Sequence, residues 1–578
     1  MARIDDLTRP DGSFRFEDPR ADGAAWSLGD VVDELGAAER RARDAGEWVL
    51  LVVAYEAAAA FDPVMRTAAQ PPEGIPFVWW QSYARRTPTA SPAPPPSRVV
   101  ERRRRANRIG YPDAVREIRR RIAAGDVYQV NLTDRFDGRF VGSPDDVYAA
   151  LLGVQRCAFG ALIDIGDRVI ASVSPELFFS WEATTITCRP MKGTTARRPR
   201  PADDAAAATD LVNSPKERAE NVMIVDLLRN DLGRVARVGS VAVPELFTLE
   251  RYTTVWQLTS AVTAVVPDEL ALVDVFAALF PCGSVTGAPK LAAMDVIAEL
   301  EADPRGVYCG AIGVLAPPGA GPRAVCSVPI RTAVLDPERA TFEYGAGGGV
   351  TWSSDPDAED AEVVAKARVL TRSHRPLELL ETLRAEPGDG VLHVAEHLDR
   401  MEASAGWFGY AFDRAAIEGE LASVRPGAHV ARVRVLSAPD GSWSVERHPL
   451  VDGPVPVRLA IDTEVTRSDD PFCCHKTTWR RHYDDAQARH PDADDVLLVN
   501  EHGCVVETTI ANIAYRLDDQ WYCPPLGDGG LPGIARAREL AAGRLSERSL
   551  RAAEVGECRE LAVLNDLRGW RPAVLIER

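Results

Sequence analysis

All nine histidines of the 578-residue chain lie between His374 and His502, so the first 373 residues contain none. This change in composition at about residue 374 marks a domain boundary and predicts two modules, residues 1–372 and 376–578. It also restricts the chemistry of the longer module. Any general acid, base or metal ligand there must be a carboxylate, a lysine, a tyrosine, a cysteine or water. Such a donor set suits a hard, oxygen-loving cation such as Mg²⁺ better than zinc.

The cationic residues are equally uneven. Of 67 Lys and Arg residues only five are lysine: Lys192, Lys216, Lys290, Lys366 and Lys476. Arginine cannot be deprotonated in a protein, whereas a lysine amine becomes a nucleophile, base or imine partner once its pKa is lowered. The five lysines are therefore candidates for amine chemistry. The formal charge of −18 argues against a nucleic-acid partner, since that binding draws on a basic surface. An anionic substrate needs local cations instead.

Hydrophobic residues at 46% and charged residues at 26% are ordinary for a packed globular chain. The start, MARIDDLTRPDGS, lacks the basic and apolar regions of a signal peptide, so a cytoplasmic protein is expected. The longest apolar stretch, Trp48 to Phe61, is interrupted by Glu56 and is too short to span a bilayer; it reads as a buried strand, with no membrane role. The ten cysteines form no CxxC pair, which fits reduced, buried thiols, and the adjacent Cys473 and Cys474 read as packing residues.

Residues 86–99, RTPTASPAPPPSRV, read as an extended loop, and 371–377, TRSHRPL, as a linker. Val115, Ile118 and Ile122 have helical spacing, Gly125-Asp126 turns the chain, and Val127 to Thr133 reads as a strand. Ser214, Pro215 and Glu217 open a helix running to about Arg234. A second helix, about Ala358 to Val369, places Glu359, Glu362 and Lys366 on one face. If the pairs Glu217/Glu220 and Glu359/Glu362 face each other, four carboxylates converge as a Mg²⁺ site. Solvated helix faces explain the same spacing.

Lys192 lies in Arg189-Pro-Met-Lys-Gly-Thr-Thr195, at a strand end before a flexible glycine. An ordinary lysine is protonated by about a thousandfold at pH 7, so nucleophilicity requires burial or neighbouring cations. Ser174-Pro-Glu176 would set an acid beside this amine if the two segments met in a hairpin. Gly283 to Lys290 lacks the GK[ST] ending of a phosphate loop, and Pro289 does not suit its N–H cradle; nucleotide hydrolysis is rejected. Gly345-Ala-Gly-Gly-Gly349 allows a close backbone approach to a carboxylate, or a bulge.

In order, the segments Gly125 to Thr133, Ser174-Pro-Glu176, Pro190-Met-Lys-Gly-Thr194, Lys216 to Asn221 and Asp226 to Asp231 resemble those of chorismate-utilising enzymes. So do Gly283 to Lys290, Arg305-Gly-Val-Tyr308, Ile330-Arg-Thr332 and Gly345 to Gly349. The likeness covers about residues 110–370. Within that family, lysine in Pro-x-Lys-Gly-Thr resembles the aminodeoxychorismate synthase component I branch, where anthranilate synthases have alanine. The resemblance implies that Lys192 adds to the chorismate ring at C2 while Glu176 protonates the departing C4 hydroxyl, and that ammonia then attacks C4. It implies Mg²⁺ on Glu217, Glu220, Glu359 and Glu362. It further implies substrate contacts by Gln129, Thr194, Gln257, Thr286, Tyr308, Arg331, Gly347 and Lys366. Many relatives have His where this chain has Gln257. The chain shows no glutaminase nucleophile setting, so a glutamine amidotransferase partner is expected to supply ammonia.

In the second module, a lysine able to form an imine and a carboxylate to pair with a protonated pyridine nitrogen are the minimum for pyridoxal phosphate; Lys476 and Glu507 supply both. Leu380 to Leu383, Glu396-His-Leu-Asp-Arg400, the lysine, Val506 to Asn512 and Gly530 to Arg536 together resemble a fold-type IV pyridoxal-phosphate enzyme over residues 376–560. The resemblance implies that Arg400, Gly533 and Ile534 bind the cofactor phosphate, that Thr382 assists proton transfer, and that the module dimerises. The combined fold expected is α+β / α/β, a large chorismate-binding α/β sandwich followed by a two-subdomain class IV aminotransferase-like domain. Fusion to a chorismate aminase favours an aminodeoxychorismate lyase, giving 4-aminobenzoate, a folate precursor. The alternatives are an anthranilate synthase component I joined to a branched-chain or D-amino-acid aminotransferase-like domain, or an inactive C-terminal assembly module.

Overall fold

A computed structural model describes residues 2–9, 11–92, 99–105, 107–155, 157–252, 255–371, 377–425 and 427–576. Residues 93–98 of the expected proline-rich loop and 372–376 of the expected linker lie outside the described residues. The chain divides into two compact units. One comprises Met1–Ala196 and Ala208–Arg375, the other Arg197–Ala207 and Pro376–Arg578. The assignment of Arg197–Ala207 to the second unit departs from a simple cut in the sequence. Within that unit, Arg197 pairs with Asp204 at 2.7 Å and lies over the Trp407 ring, whose Nε1 donates to the Arg198 carbonyl.

Among the described residues, the first unit is built on eighteen strands joined in one antiparallel pairing network, with helices packed against it, which makes it an α+β unit. The strand Gln129–Phe140 pairs with Thr341–Val350 in a register that sets Asn131 opposite Gly349 and Thr133 opposite Gly347. The strand Met191–Ala196 pairs with Val255–Val265, Thr194 opposite Gln257. The helix Pro215–Gly233 starts where expected, with Ser214 Oγ accepting from the Glu217 N–H. Its Ile224, Val225, Leu228 and Leu232 join the core with Phe276 and Phe280. The second acidic helix spans Pro356–Lys366, capped by Asp355, and anchors Val363 beside Tyr111 and Val350.

Several expectations shift at their ends. The helix of Val115 and Ile118 spans Tyr111–Ala124 and stops at Gly125, whose φ of 84° suits glycine. The strand after it begins at Gln129 rather than Val127. The apolar stretch from Trp48 is a strand only to Val53; helical turns follow over Tyr55–Ala57 and Ala58–Phe61. The reason is Glu56, buried in mid-stretch, whose carboxylate accepts from the Arg305 and Gly306 N–H groups. All ten cysteines are free, eight of them buried, Cys473 and Cys474 included. No described helix is long and apolar enough to cross a membrane.

The second unit holds two sheets. A four-stranded antiparallel sheet runs in the order Gly390–Val391, Leu379–Glu386, Ala431–Ser437, Trp443–Pro449. Leu379, Leu383, Val433 and Val435 face a core completed by Leu398 and Met401 of the helix Val394–Phe408. Strand alternation therefore sets Thr382, Arg432 and Arg434 on the opposite face, with Thr382 directly across from Arg434. The eight-stranded sheet is mixed: Val457–Thr466 runs parallel to both Asp495–Asn500 and Gly569–Leu575. The chain is thus a mixed helix-and-sheet protein whose second unit has two sheets.

Candidate active sites

Lys192 sits at the second position of its strand, its backbone carbonyl held by Asn221 Nδ2 at 3.1 Å and Asn221 held in turn by Ser260. The amine is buried, and burial lowers its pKa, assisted by Lys366 and opposed by Glu220, Glu176 and Glu362. Gly349 faces it. A Cβ at Gly349 would stand 2.3 Å from Lys192 Nζ and 2.6 Å from Gln129 Nε2, so this position must be glycine if the amine is to occupy its place. The glycine run therefore accommodates the lysine head and an amide, where the sequence suggested a carboxylate or a bulge.

Glu176 is 3% exposed. Burial pushes its carboxyl up to about 7, against the pull of Ser284 and Lys192. Its Oε1 has no hydrogen-bond partner, nor does either amide atom of Gln129. Three unsatisfied buried polar atoms beside one amine are costly unless a ligand or water meets them. The cluster combines an acid whose pKa is raised, an amine whose pKa is lowered and unspent hydrogen-bonding capacity.

Two glutamate-bearing helices face this cluster. The Glu217 side chain stands against Gly193, and Glu359 Oε2 is 3.2 Å from where a Cβ on Gly348 would lie. Burial and Glu220 raise the Glu217 carboxyl; burial and Glu362 raise that of Glu359. Lys366 lowers Glu362, which it pairs at 2.7 Å, while donating to the Gly347 carbonyl at 2.8 Å. The donor chemistry, all carboxylate oxygens and mutually repelling, fits a hard divalent cation. Even so, no three acidic, histidine or cysteine side chains among the described residues are grouped so as to hold one.

Other expected substrate residues have protein partners. Thr194 donates to Gln257 Oε1 at 2.7 Å, and Gln257 Nε2 donates to the Gly193 carbonyl at 2.8 Å, so this pair fixes the lysine strand. Thr286 Oγ1 donates to the Cys282 carbonyl. Tyr308 lines a cavity of about 210 Å³ with Arg135 and Arg305. Arg331 adopts φ 53° and lies among Tyr344, Tyr252 and Cys157, with burial lowering its pKa and no carboxylate paired to it among the described residues. Lys290 in the rejected phosphate loop is bound to Asp231 at 2.7 Å.

In the second unit, a cavity of about 340 Å³ is lined by Thr382, Arg400, Lys476, Glu507, Gly533 and Ile534, among others. Burial, reinforced by Arg400, lowers Lys476 to about 8. Burial raises Glu507 to about 7, opposed by the Tyr483 hydroxyl, which donates to it at 2.7 Å, and by the Leu531 N–H. Arg400 makes a two-pronged bond to Glu381 at 2.8 and 2.6 Å and donates its third nitrogen to the Pro532 carbonyl at 2.9 Å. Gly533 caps the helix Ile534–Ala541, and a Cβ there would strike Asn512 Oδ1 at 1.9 Å. A buried amine, a facing carboxyl, a guanidinium and a tightly fitted helix N-terminus together fit pyridoxal phosphate.

Sequence reasoning missed the groups that hold these residues. Ser284 acts on Glu176, Tyr483 and Asn512 on Glu507, and His397 bridges Glu381 at 2.7 Å and Asp566 at 3.1 Å. His397 lies inside the quoted Glu396-His-Leu-Asp-Arg400 segment, so its placement beside Arg400 was the available signal.

A chorismate binding enzyme family model matches residues 6–372, and an amino-transferase class IV model matches residues 378–576. Aminodeoxychorismate synthase component 1 of Escherichia coli strain K12 is 42% identical over 256 residues, 44% of this chain and 55% of that protein. Aminodeoxychorismate synthase of Streptomyces griseus is 40% identical over 322 residues, 54% of this chain and 43% of that one. The chain spans about half the length of the curated relatives it matches. The crystal structure of anthranilate synthase component I from Streptococcus pneumoniae TIGR4 aligns with a TM-score of 0.54 at 26% identity, covering 64% of this chain and 92% of the other.

Proposed function

The chain belongs to the chorismate binding enzyme family, and from that premise we propose a bifunctional enzyme of 4-aminobenzoate synthesis. The first unit aminates chorismate at C4 and the second eliminates pyruvate from the product. The observation that carries the reading is the pair of Lys192 and Glu176, an amine whose pKa burial lowers beside an acid that burial raises to about 7.

In the first step Lys192 Nζ bonds to ring C2, both conjugated ring double bonds shift by one position, and the C4–O bond breaks as Glu176 delivers its proton to the hydroxyl, which leaves as water. Ammonia then forms the C4–N bond, both double bonds return, and the C2–Nζ bond breaks. Gln129, with both amide atoms unsatisfied, orients the ring or the incoming ammonia. Arg331 holds a substrate carboxylate, supported by its lack of a protein counter-ion. Glu217, Glu220, Glu359 and Glu362 would hold Mg²⁺, which would screen their mutual repulsion and bind a second carboxylate. A glutamine amidotransferase partner is proposed as the ammonia source.

At the second site, bound pyridoxal phosphate supplies the electron sink for breaking a C–H bond beside an amine. Lys476 Nζ would take the C4 proton, the Glu507 carboxylate would pair with the protonated pyridine nitrogen, and Thr382 would move a proton at the departing enolpyruvate. Loss of that group aromatises the ring. The decisive experiment supplies chorismate, ammonium, Mg²⁺ and pyridoxal phosphate to the full chain. Equal amounts of 4-aminobenzoate and pyruvate are expected; 2-aminobenzoate as the product overturns the assignment in favour of an anthranilate synthase.

A further inference from the structure

The strand that carries Lys192 is irregular at the lysine itself. Met191 stands opposite Thr259 and Thr194 opposite Gln257, so Lys192 and Gly193 together face the single residue Leu258. Two residues against one make a β-bulge, which interrupts the ladder and re-aims a side chain. Gly193 supports the bulge with a φ of 94°, a left-handed conformation that favours glycine. Where the ladder is interrupted, peptide carbonyls inside a fold need other donors.

Side-chain amides supply them here. Asn221 Nδ2 donates to the Lys192 carbonyl at 3.1 Å, and Gln257 Nε2 to the Gly193 carbonyl at 2.8 Å. In each case a hydroxyl fixes which end of the amide points at the lysine peptide. Ser260 Oγ donates to Asn221 Oδ1 at 2.6 Å, and Thr194 Oγ1 to Gln257 Oε1 at 2.7 Å. Ser260 Oγ in turn accepts from the Phe247 N–H at 3.2 Å. Asn221 is 1% exposed and lies four residues after Glu217 on the helix Pro215–Gly233, so the two side chains share the face that meets the bulge, Glu217 against Gly193. A bond to the Lys192 carbonyl fixes rotation about the Cα–C bond of that residue, and with it the direction in which the long side chain leaves the strand. We propose that Asn221 is a positioning residue of the amination step, which by holding the Lys192 peptide at the bulge aims the amine at the space beside Gly349. This rests on the reading of Lys192 as the attacking amine and adds the group that sets its aim.

The test follows the amine and the reaction separately in the full chain. With lysine carrying carbon-13 at Cε, the five lysines give five signals, and that of Lys192 is assigned by its absence from Lys192→Arg. Asn221→Leu keeps the bulk of the side chain and removes both of its bonds. It is expected to move the Lys192 signal toward the position of a mobile lysine. It should also lower kcat for chorismate amination by roughly 100-fold and leave KM for chorismate within about threefold, since a misaimed nucleophile costs rate rather than binding. Asn221→His should restore most of the rate, because a neutral imidazole offers one donor and one acceptor, the two roles of this amide. Asn221→Asp keeps the bond from Ser260 and loses the donor; it replaces the leucine variant should that one fold poorly, with the same loss expected. An unmoved Lys192 signal overturns the inference, as does a raised KM at unchanged kcat. A moved signal with full amination in both the leucine variant and Lys192→Arg instead removes Lys192 as the nucleophile and leaves Asn221 as the group that holds its peptide.

Discussion

Lys192 and Lys476 are both buried amines with depressed pKa values, but their surroundings differ in sign. Around Lys192 the neighbouring charges are mostly carboxylates, Glu220, Glu176 and Glu362, which oppose the effect of burial. Around Lys476 the guanidinium groups of Arg400 and Arg480 reinforce burial, with Glu381 and Glu507 opposing. The pKa of the same residue type is thus lowered in one place against most of its charged neighbours and in the other with the help of two of them. An acid-rich setting suits an amine that must work beside a proton donor and a cation; an arginine-rich one suits an amine that handles an anionic ligand.

The largest effect expected is from removing either amine. Lys192→Ala should lower chorismate amination by about a thousandfold or more while leaving lyase activity on supplied aminodeoxychorismate intact. Lys476→Ala should do the reverse, accumulating the aminated intermediate and abolishing the visible absorbance of a cofactor-bound lysine. Loss of both activities in either variant would break the picture of two independent amines. Gly349→Ala should come next, since its methyl group would displace the Lys192 head; amination is expected to collapse with the lyase unchanged. Treatment with EDTA should separate the sites in the same way, stopping amination until Mg²⁺ is restored.

A smaller, pH-resolved effect belongs to Glu176. Its carboxyl is raised to about 7, so the acid form needed to protonate a leaving hydroxyl prevails below that pH and is lost above it. Amination should fall as pH rises through about 7, and Glu176→Gln should both slow it by roughly 100-fold and remove that limb of the profile. A limb that persists in the variant would assign the proton to another group. Thr382→Val is expected to be mildest, slowing pyruvate release by about tenfold in a stopped assay.

Much of both sites was legible in the chain. The spacing of Ser214, Pro215 and Glu217 marked a helix that starts at Pro215, because caps act locally, whereas Lys192, expected at a strand end, lies near the start of a strand that runs on through Gly193 to Ala196. The end of the apolar stretch at Val53 was not legible. It depends on Glu56 reaching the backbone of Arg305 and Gly306, nearly 250 positions away. Nor was the pairing of Thr194 with Gln257, which arises from strand register between distant segments and gives that glutamine a structural role. The spacing suggested four converging carboxylates, yet no three acidic, histidine or cysteine side chains among the described residues are grouped to hold a cation, and the pairing of Glu362 with Lys366 was visible only in three dimensions.

What the sequence determined by itself is which reactive groups exist: five lysines among 67 cationic residues, no histidine before residue 374, and glycines at the points of closest approach. Those are facts of composition and local order, and they limit the chemistry. What only the tertiary structure decided is the state of those groups. Burial, register and the partners brought from remote segments lower the pKa of two amines and raise that of the Glu176 carboxyl. The reason is that pKa and hydrogen-bond satisfaction depend on the field and packing at a point in space, and residues far apart in the chain build both.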